Sequence, residues 1–334
     1  MSRVLTYKAE EADAGRCVRD IIREEFCLAA HDIARAKYRT RNGIAVNGEV
    51  SMVNRTLVRG DTVTVVLGDE QPEKTVPSPG PIEILYEDED VICLNKPAGV
   101  VVHPSHGHFA DTLGNRLAAY FAGKGEAHEI RTIGRLDKDT TGVISFGKSR
   151  TACAILAGQI RRPRLGGEDG SLKKQYLALA AGSFETPEGE IDLPISREYE
   201  EKIRRVVRPD GDPALTRYRV LRQYERYAVL SLEIETGRTH QIRVHMAHTG
   251  HPLLGDPIYG PGEACRILPE PPLETGGGDD LPARRSFGAD PSAAVPAMPE
   301  RAALHAWKAG FIQPFSYRRI FVTAPVPEDM RQYL

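Results

Sequence analysis

Hydrophobic and polar positions change rhythm three times along the chain. Residues 14–69 alternate amphipathic helical stretches with "GIAVNGEV" and "GDTVTVVL". The β-branched alternation and the Asn-Gly and Gly-Asp turns predict short strands in a small N-terminal unit. Next comes "DEQPEKTVPSPGP" (69–81), too rich in proline and charge to build a core, so 70–81 reads as a linker. From Ile82 the apolar runs lengthen, and a larger unit is expected over 82–334.

In that unit "IEILYEDEDVICLNKPAGVVVHP" predicts two strands around an acidic turn, then a Pro/Gly loop. A helix is expected to start at Asp111, whose side chain can cap "TLGNRLAAYFA". "GVISFGKS" (142–149) reads as a buried strand and "SRTACAILAGQI" as the helix after it. "KKQYLALAAG", "LTRYRVLRQY" and "YAVLSLEIETG" supply further strands, and "HQIRVHMAHTG" a short helix. Strands cluster, with helices between only some of them. The expected class is therefore α+β with a mixed, largely antiparallel sheet, not a doubly wound fold. Residues 262–300 break the pattern with seven prolines and five glycines, and read as a flexible surface insertion.

Composition adds little to this picture until it is localised. The 334 residues carry a net charge of -2, which by itself advertises no nucleic-acid partner. Yet 262–300 holds seven acidic and three basic side chains, which leaves the rest of the chain positive on balance. Five scattered cysteines, Cys17, Cys27, Cys93, Cys153 and Cys265, are odd in number and lack CxxC spacing. They point to reduced thiols rather than disulfides or a thiolate zinc site. "MSRVLTYKAEEADAG" has no apolar signal-peptide core, and no run is long enough to span a membrane. A reducing cytoplasm is the expected compartment and a monomer the default state.

Four stretches could carry chemistry. In "IGRLDKDTTGVISFG" (133–147), spacing alone favours Asp137 as a turn residue over a reactive carboxylate. Arg135 and Lys138 beside it would favour its ionised form, and Thr-Thr-Gly would leave space over it. "ETGRTHQIRVHMAHTGHPLLGDPIYG" (235–260), where a metal would recruit His240, His245, His248 and His251, and "HPSHGHF" (103–109) are rich in histidine but lack HExxH. Arg243, a cation on a buried helix face, is the better candidate there, in search of an anion or a plain structural pair. "SLKKQYLALAAG" sets Lys173, Lys174 and Tyr176 at the mouth of an apolar strand. That is a core tyrosine, or a stacking platform with phosphate-binding lysines. Arg35, Lys37, Arg39 and Arg41 surround Tyr38 in "AHDIARAKYRTRNGIAVNGEV" (30–50), the footprint of an RNA-backbone binder.

In this order the pieces resemble the pseudouridine synthases of the Rlu type (the RluA family). The residues carrying the resemblance are "LNKPAGVVVHP", "RLDKDTTG", "KKQY", "GRTHQIRVHMAHTGHPLLGDPIYG" and "LHAWKAGF". The N-terminal unit is similar to the small αL RNA-binding module of a ribosomal small-subunit protein (S-four-like), with "VNGE" and "RGDTV" in their usual places. Gly134 stands where the Rlu type usually has His, Thr141 where Ser is commoner, and "FIQP" where His-Pro is usual.

The resemblance implies the pseudouridine synthase fold and conversion of uridine to pseudouridine, with no cofactor and no metal. It makes Asp137 the nucleophile, Arg243 its partner and Tyr176 the residue that stacks on the base and can share in proton removal from carbon 5. Arg135, Lys173 and Lys174, with the N-terminal cations, are expected on the RNA backbone. Large-subunit ribosomal RNA is the expected substrate. The alternatives are a transfer RNA, or a non-catalytic RNA-binding or assembly factor. A zinc deaminase is excluded by the missing His-x-Glu and Pro-Cys-x-x-Cys.

Overall fold

A computed structural model describes residues 3–26, 28, 30–39, 43–67, 75–105, 107–126, 128, 130–161, 173–199, 203–224, 226–260 and 299–334. Apart from its last two residues, the expected insertion at 262–300 lies outside them, as do Arg41 and 70–74 of the expected linker.

The N-terminal unit begins earlier than residue 14. Strand β1 (Arg3–Lys8) pairs antiparallel with β4 (Thr62–Leu67), which also pairs with β2 (Ile44–Val46), and β2 with β3 (Glu49–Val50). The β2–β3 hairpin turns at Asn47 and Gly48, both at positive φ, as an Asn-Gly two-residue turn requires. The Asn47 amide then ties this turn to Asp61 at 2.7 Å and accepts the Thr62 N–H. Helices α1 (Val18–Glu24) and α2 (Ala30–Arg39) cover the sheet, burying Val18, Ile21, Ile22, Ile33 and Ala36 against Val63 and Val65.

Among the described residues, the rest of the chain builds a ten-stranded mixed sheet with a separate two-stranded hairpin beside it. Its elements are β5 (Ile84–Glu87), β6 (Val91–Lys96), α3 (Leu113–Gly123), β7 (Arg131–Ile133), β8 (Thr141–Gly147) and α4 (Arg150–Arg161). Then come β9 (Lys173–Ala181), β10 (Glu188–Asp192), the hairpin β11 (Ile195–Arg197) and β12 (Arg205–Val207), β13 (Leu215–Gln223) and β14 (Tyr227–Ile234). Helix α5 (Gln241–His248), β15 (Leu304–Ile312), β16 (Arg319–Thr323) and α6 (Glu328–Arg331) complete the chain. The strand order is β10-β13-β14-β9-β15-β8-β6-β5, with β16 on β15 and β7 on β8. Among the described residues only β15 and β8 run parallel; every other pairing in this sheet is antiparallel. The expectation of a mixed, largely antiparallel α+β sheet is met.

Period-two alternation sorts side chains to the two faces. Along β9, Tyr176, Ala178 and Ala180 join the core under α3 and α5, while Leu177, Leu179 and Ala181 face the core around α6 and Trp307. Strand β8 is buried along its whole length, as an inner strand between β15 and β6. Helix α3 starts one residue later than expected. Thr112, not Asp111, is the N-cap: its hydroxyl accepts the Asn115 N–H, and the Asn115 side chain accepts the Thr112 N–H in return. Thr112 is fully buried in extended backbone, the geometry a cap needs, whereas Asp111 turns outward to His108 at 2.6 Å.

Candidate active site

The loop from β7 to β8, residues 134–140, carries the Arg-Leu-Asp segment. Gly134 opens it at φ +76, a left-handed conformation that glycine adopts without strain. Gly142, just beyond, sits at φ +105, and a Cβ there would lie 2.1 Å from the Ala306 carbonyl oxygen. Only glycine lets β8 approach β15 this closely. Beside it, Thr141 and the buried His305 Nδ1 share a hydrogen bond of 2.8 Å.

Asp137 closes a turn and also lines a cleft. Its carbonyl accepts the Thr140 N–H, closing a turn, while its carboxylate points into a cleft of about 430 Å³. Arg135, Leu136, Thr140, Tyr176, Ile234, Gly237–Arg243 and Leu304 line the same space. The neighbouring carbonyls of the loop are held by two buried cations. Lys96 Nζ donates to Lys138 O at 2.6 Å and to Pro97 O and Val100 O at 2.8 and 2.7 Å. Arg301 Nη1 donates to Asp139 O at 3.1 Å, while its Nε and Nη2 grip Asp329 of α6. Burial pulls Lys96 down to about 7, with Asp139 and Asp137 opposing the shift.

Arg243, on α5, gives Nε and Nη2 to the fully buried Asp256 at 2.7 Å each, and Nη1 lies 3.6 Å from Asp137 Oδ2. The Asp256 carboxyl is held below its ordinary range: burial pushes it up, but the Arg243 hydrogen bonds and charge outweigh that. Asp256 Oδ1 also accepts the Ile258 and Tyr259 N–H groups, so a turn carboxylate doubles as the anchor of the arginine. His240 Nε2 lies 3.9 Å from Asp137, and its Nδ1 meets Tyr259 Oη at 2.9 Å. Burial lowers His240, so it is the neutral ring that faces the carboxylate. Tyr176 is buried on β9 between Leu232 and Ala306. Burial, with the Asp137 charge adding to it, raises its phenol.

These side chains come from four separate segments: a strand-to-strand loop, a central strand, a helix and the turn after it. Known proteins are related to the chain that supplies them. A family profile described as RNA pseudouridylate synthase matches residues 90–248. The uncharacterized RNA pseudouridine synthase YhcT of Bacillus subtilis is 36% identical over 290 residues, 86% of this chain and 83% of that protein. The chain belongs to the RNA pseudouridine synthases. Ribosomal large subunit pseudouridine synthase D of Escherichia coli K12 is 35% identical over 86% of this chain and 80% of its own. Human RNA pseudouridylate synthase domain containing 4 shares the fold, with a TM-score of 0.51 at 22% identity over 75% of this chain and 92% of that one.

In this pseudouridine synthase the expected trio, Asp137, Tyr176 and Arg243, lines one cleft, with Arg135 exposed at its edge. Lys174 was expected on phosphate but is turned inward. Its Nζ donates to Ile133 O at 3.0 Å and lies 3.1 Å from where a Cβ on Gly134 would stand. Burial lowers it to about 8. Glycine at 134 therefore leaves room for this ammonium. Lys173 opens β9, and Arg35 and Arg39 lie on α2, with Lys37 exposed there.

Asp256, Lys96 and Arg301 were not assigned roles from the sequence, and His240 entered there only among the histidines weighed for a metal. Asp256 and Lys96 stand within quoted motif stretches, "GDPIYG" and "LNKP", and that position was their only signal. The histidines considered for a metal are dispersed: His245 bonds Thr216 and Leu193 O, and His251 meets Ala181 O. Among the described residues no group of three His, Cys, Asp or Glu could hold a metal, and no helix is long and apolar enough to cross a membrane.

Proposed function

We propose that the chain converts uridine to pseudouridine in large-subunit ribosomal RNA, with Asp137 as the nucleophile. The observation that carries this reading is the meeting of the Asp137 carboxylate, the Arg243 guanidinium 3.6 Å away and the Tyr176 ring in one solvent-reached cleft. The reaction breaks the bond between uracil nitrogen 1 and the ribose, turns the base, and rejoins it through carbon 5, which releases its proton. Atoms and electrons balance within the nucleoside and water, so the trio is chemically sufficient in kind.

In this reading Asp137 bonds to ribose carbon 1 as the bond to uracil nitrogen 1 breaks, and is displaced when carbon 5 of the turned base takes that place. Carbon 5 then gives up a proton and nitrogen 1 takes one up. Arg243, itself locked by Asp256, fixes the carboxylate in line with the incoming nucleoside. Tyr176 stacks on the extruded base; its raised phenol keeps the ring neutral, which favours stacking over service as a base. Arg35, Lys37, Arg39, Arg41, Arg135 and Lys173 supply backbone contacts, and the N-terminal unit serves as an S-four-like RNA-binding domain. The ribosomal substrate follows the name of the Escherichia coli relative.

Mapping pseudouridines in total RNA tests this in cells carrying the wild type, a deletion, or Asp137→Asn. Positions in large-subunit RNA should disappear in both mutants. Loss confined to transfer RNA would move the substrate, and an unchanged map in the Asn strain would remove Asp137 from the chemistry.

A further inference from the structure

A second cleft, of about 920 Å³, adjoins the first and shares Gly237, Arg238 and Thr239 with it. Its walls include the β11–β12 hairpin, which stands outside the central sheet, and the 210–212 turn. Arg197 and Arg205 occupy directly opposed positions in this hairpin. Like charges placed so are unfavourable across a strand pair. The Arg205 Nε is fully buried and has no hydrogen-bond partner among the described residues. Burial, the positive charge of Arg197 and that of Arg135 all disfavour its charged form. Acids do line the cleft, but they are engaged elsewhere: Asp212 lies 3.7 Å from Arg238 and Asp210 3.3 Å from Arg208.

The placement is nonetheless firmly built. The Arg205 N–H donates to Tyr259 Oη at 2.8 Å, and Ile195 exchanges backbone hydrogen bonds of 2.9 Å with Asp212. Gly211 lies so close to the Ile195 backbone that a Cβ would meet it at 2.6 Å. A rigid scaffold thus holds a half-buried guanidinium with an orphaned Nε near two more cations, in the cleft adjoining that of Asp137. An anion bound against the accessible part of the guanidinium would relieve the repulsion between the opposed cations.

We propose that Arg205, with Arg197 opposite and Arg135 across the cleft mouth, forms a phosphodiester site for the RNA strand next to the nucleotide that reaches Asp137. This site rests on the pseudouridine synthase reading and extends it: the strand is gripped at the backbone while one base enters the pocket. Arg205 is a binding residue here, so its removal acts on affinity and salt dependence rather than on the chemical step.

The test compares full-length wild type, Arg205→Gln and Arg205→Lys on unmodified, in-vitro transcribed 23S ribosomal RNA. Binding is measured across a potassium chloride series, and pseudouridine formation at saturating RNA. The Gln variant should bind roughly tenfold more weakly and lose about 0.7–0.9 from the slope of log K against log salt, the share of one neutralised phosphate. Its rate at saturation should stay within about threefold of wild type, and its thermal midpoint should not fall. The Lys variant should keep the slope. Wild-type affinity and slope in the Gln variant would overturn the site, as would a collapsed saturating rate with the slope intact. Failure of the wild type to make pseudouridine would instead strike the underlying activity, and the binding comparison would still decide the site.

Discussion

Arg243 spends its two best hydrogen bonds on Asp256, at 2.7 Å each, and presents only Nη1 to Asp137 at 3.6 Å. The cation beside Asp137 is thus positioned by a second carboxylate, Asp256, which is not among the residues lining the cleft. Asp256→Ala would leave a buried, half-paired guanidinium, a change that costs about 3–5 kcal/mol. Expected are a lower urea midpoint and a fall in kcat larger than any rise in KM. Wild-type kcat in a folded Asp256→Ala protein would show that Arg243 needs no anchor.

Lys96 makes a different demand. Its three carbonyl partners join the Pro97–Val100 turn to Lys138, one residue from Asp137. Lys96→Met fills the space but frees that loop, and displacing a reacting group by about 1 Å can cost roughly 100-fold in rate. Single-turnover rates should fall by that order. RNA affinity should stay within about twofold of wild type, because the buried ammonium neutralises no phosphate.

His305 provides a pH prediction. Burial lowers its pKa from 6.5 to about 4, so the folded protein keeps the ring neutral where the unfolded chain already protonates it. Between pH 6.5 and 4 the unfolded state binds more protons, and stability must fall as pH falls. The shift corresponds to about 3 kcal/mol, fully present above pH 6.5 and lost toward pH 4. Urea unfolding of wild type and His305→Gln should converge over that window. A constant gap between them would contradict the assignment.

The N-terminal cations make a claim about RNA rather than chemistry. Replacing Arg35, Lys37, Arg39 and Arg41 with Gln together should flatten the salt dependence of RNA binding by about 0.7–0.9 for each phosphate no longer neutralised. The far-ultraviolet spectrum should be unchanged, since Lys37 is exposed on α2. An identical salt slope would remove this unit from RNA recognition.

Much of the fold was legible because apolar runs and turn residues report local structure. The apolar runs around β8, β9 and β14 marked strands, and Asn47-Gly48 marked its turn. Strand β1 was missed because Arg3–Lys8 gains its place only by pairing with Thr62–Leu67, far along the chain. The site was legible as far as its motifs carry side chains into the cleft. Lys174 defeats that logic: the same pattern that suggests a phosphate ligand places its ammonium against the Ile133 carbonyl. Arg301 and Asp329 escaped for a related reason. Their bond to each other, and Arg301's to Asp139 O, exist only once α6 folds back near β15.

If the Asp137 carboxylate reacts, release of the carbon 5 hydrogen from RNA labelled at that position must depend on it. Purified wild type and Asp137→Asn should bind the labelled large-subunit RNA with similar affinity. The wild type should release the label at the target uridine, and the Asn protein should be slower by at least about 1,000-fold. Release by the Asn protein within about tenfold of wild type would mean that another group does the chemistry.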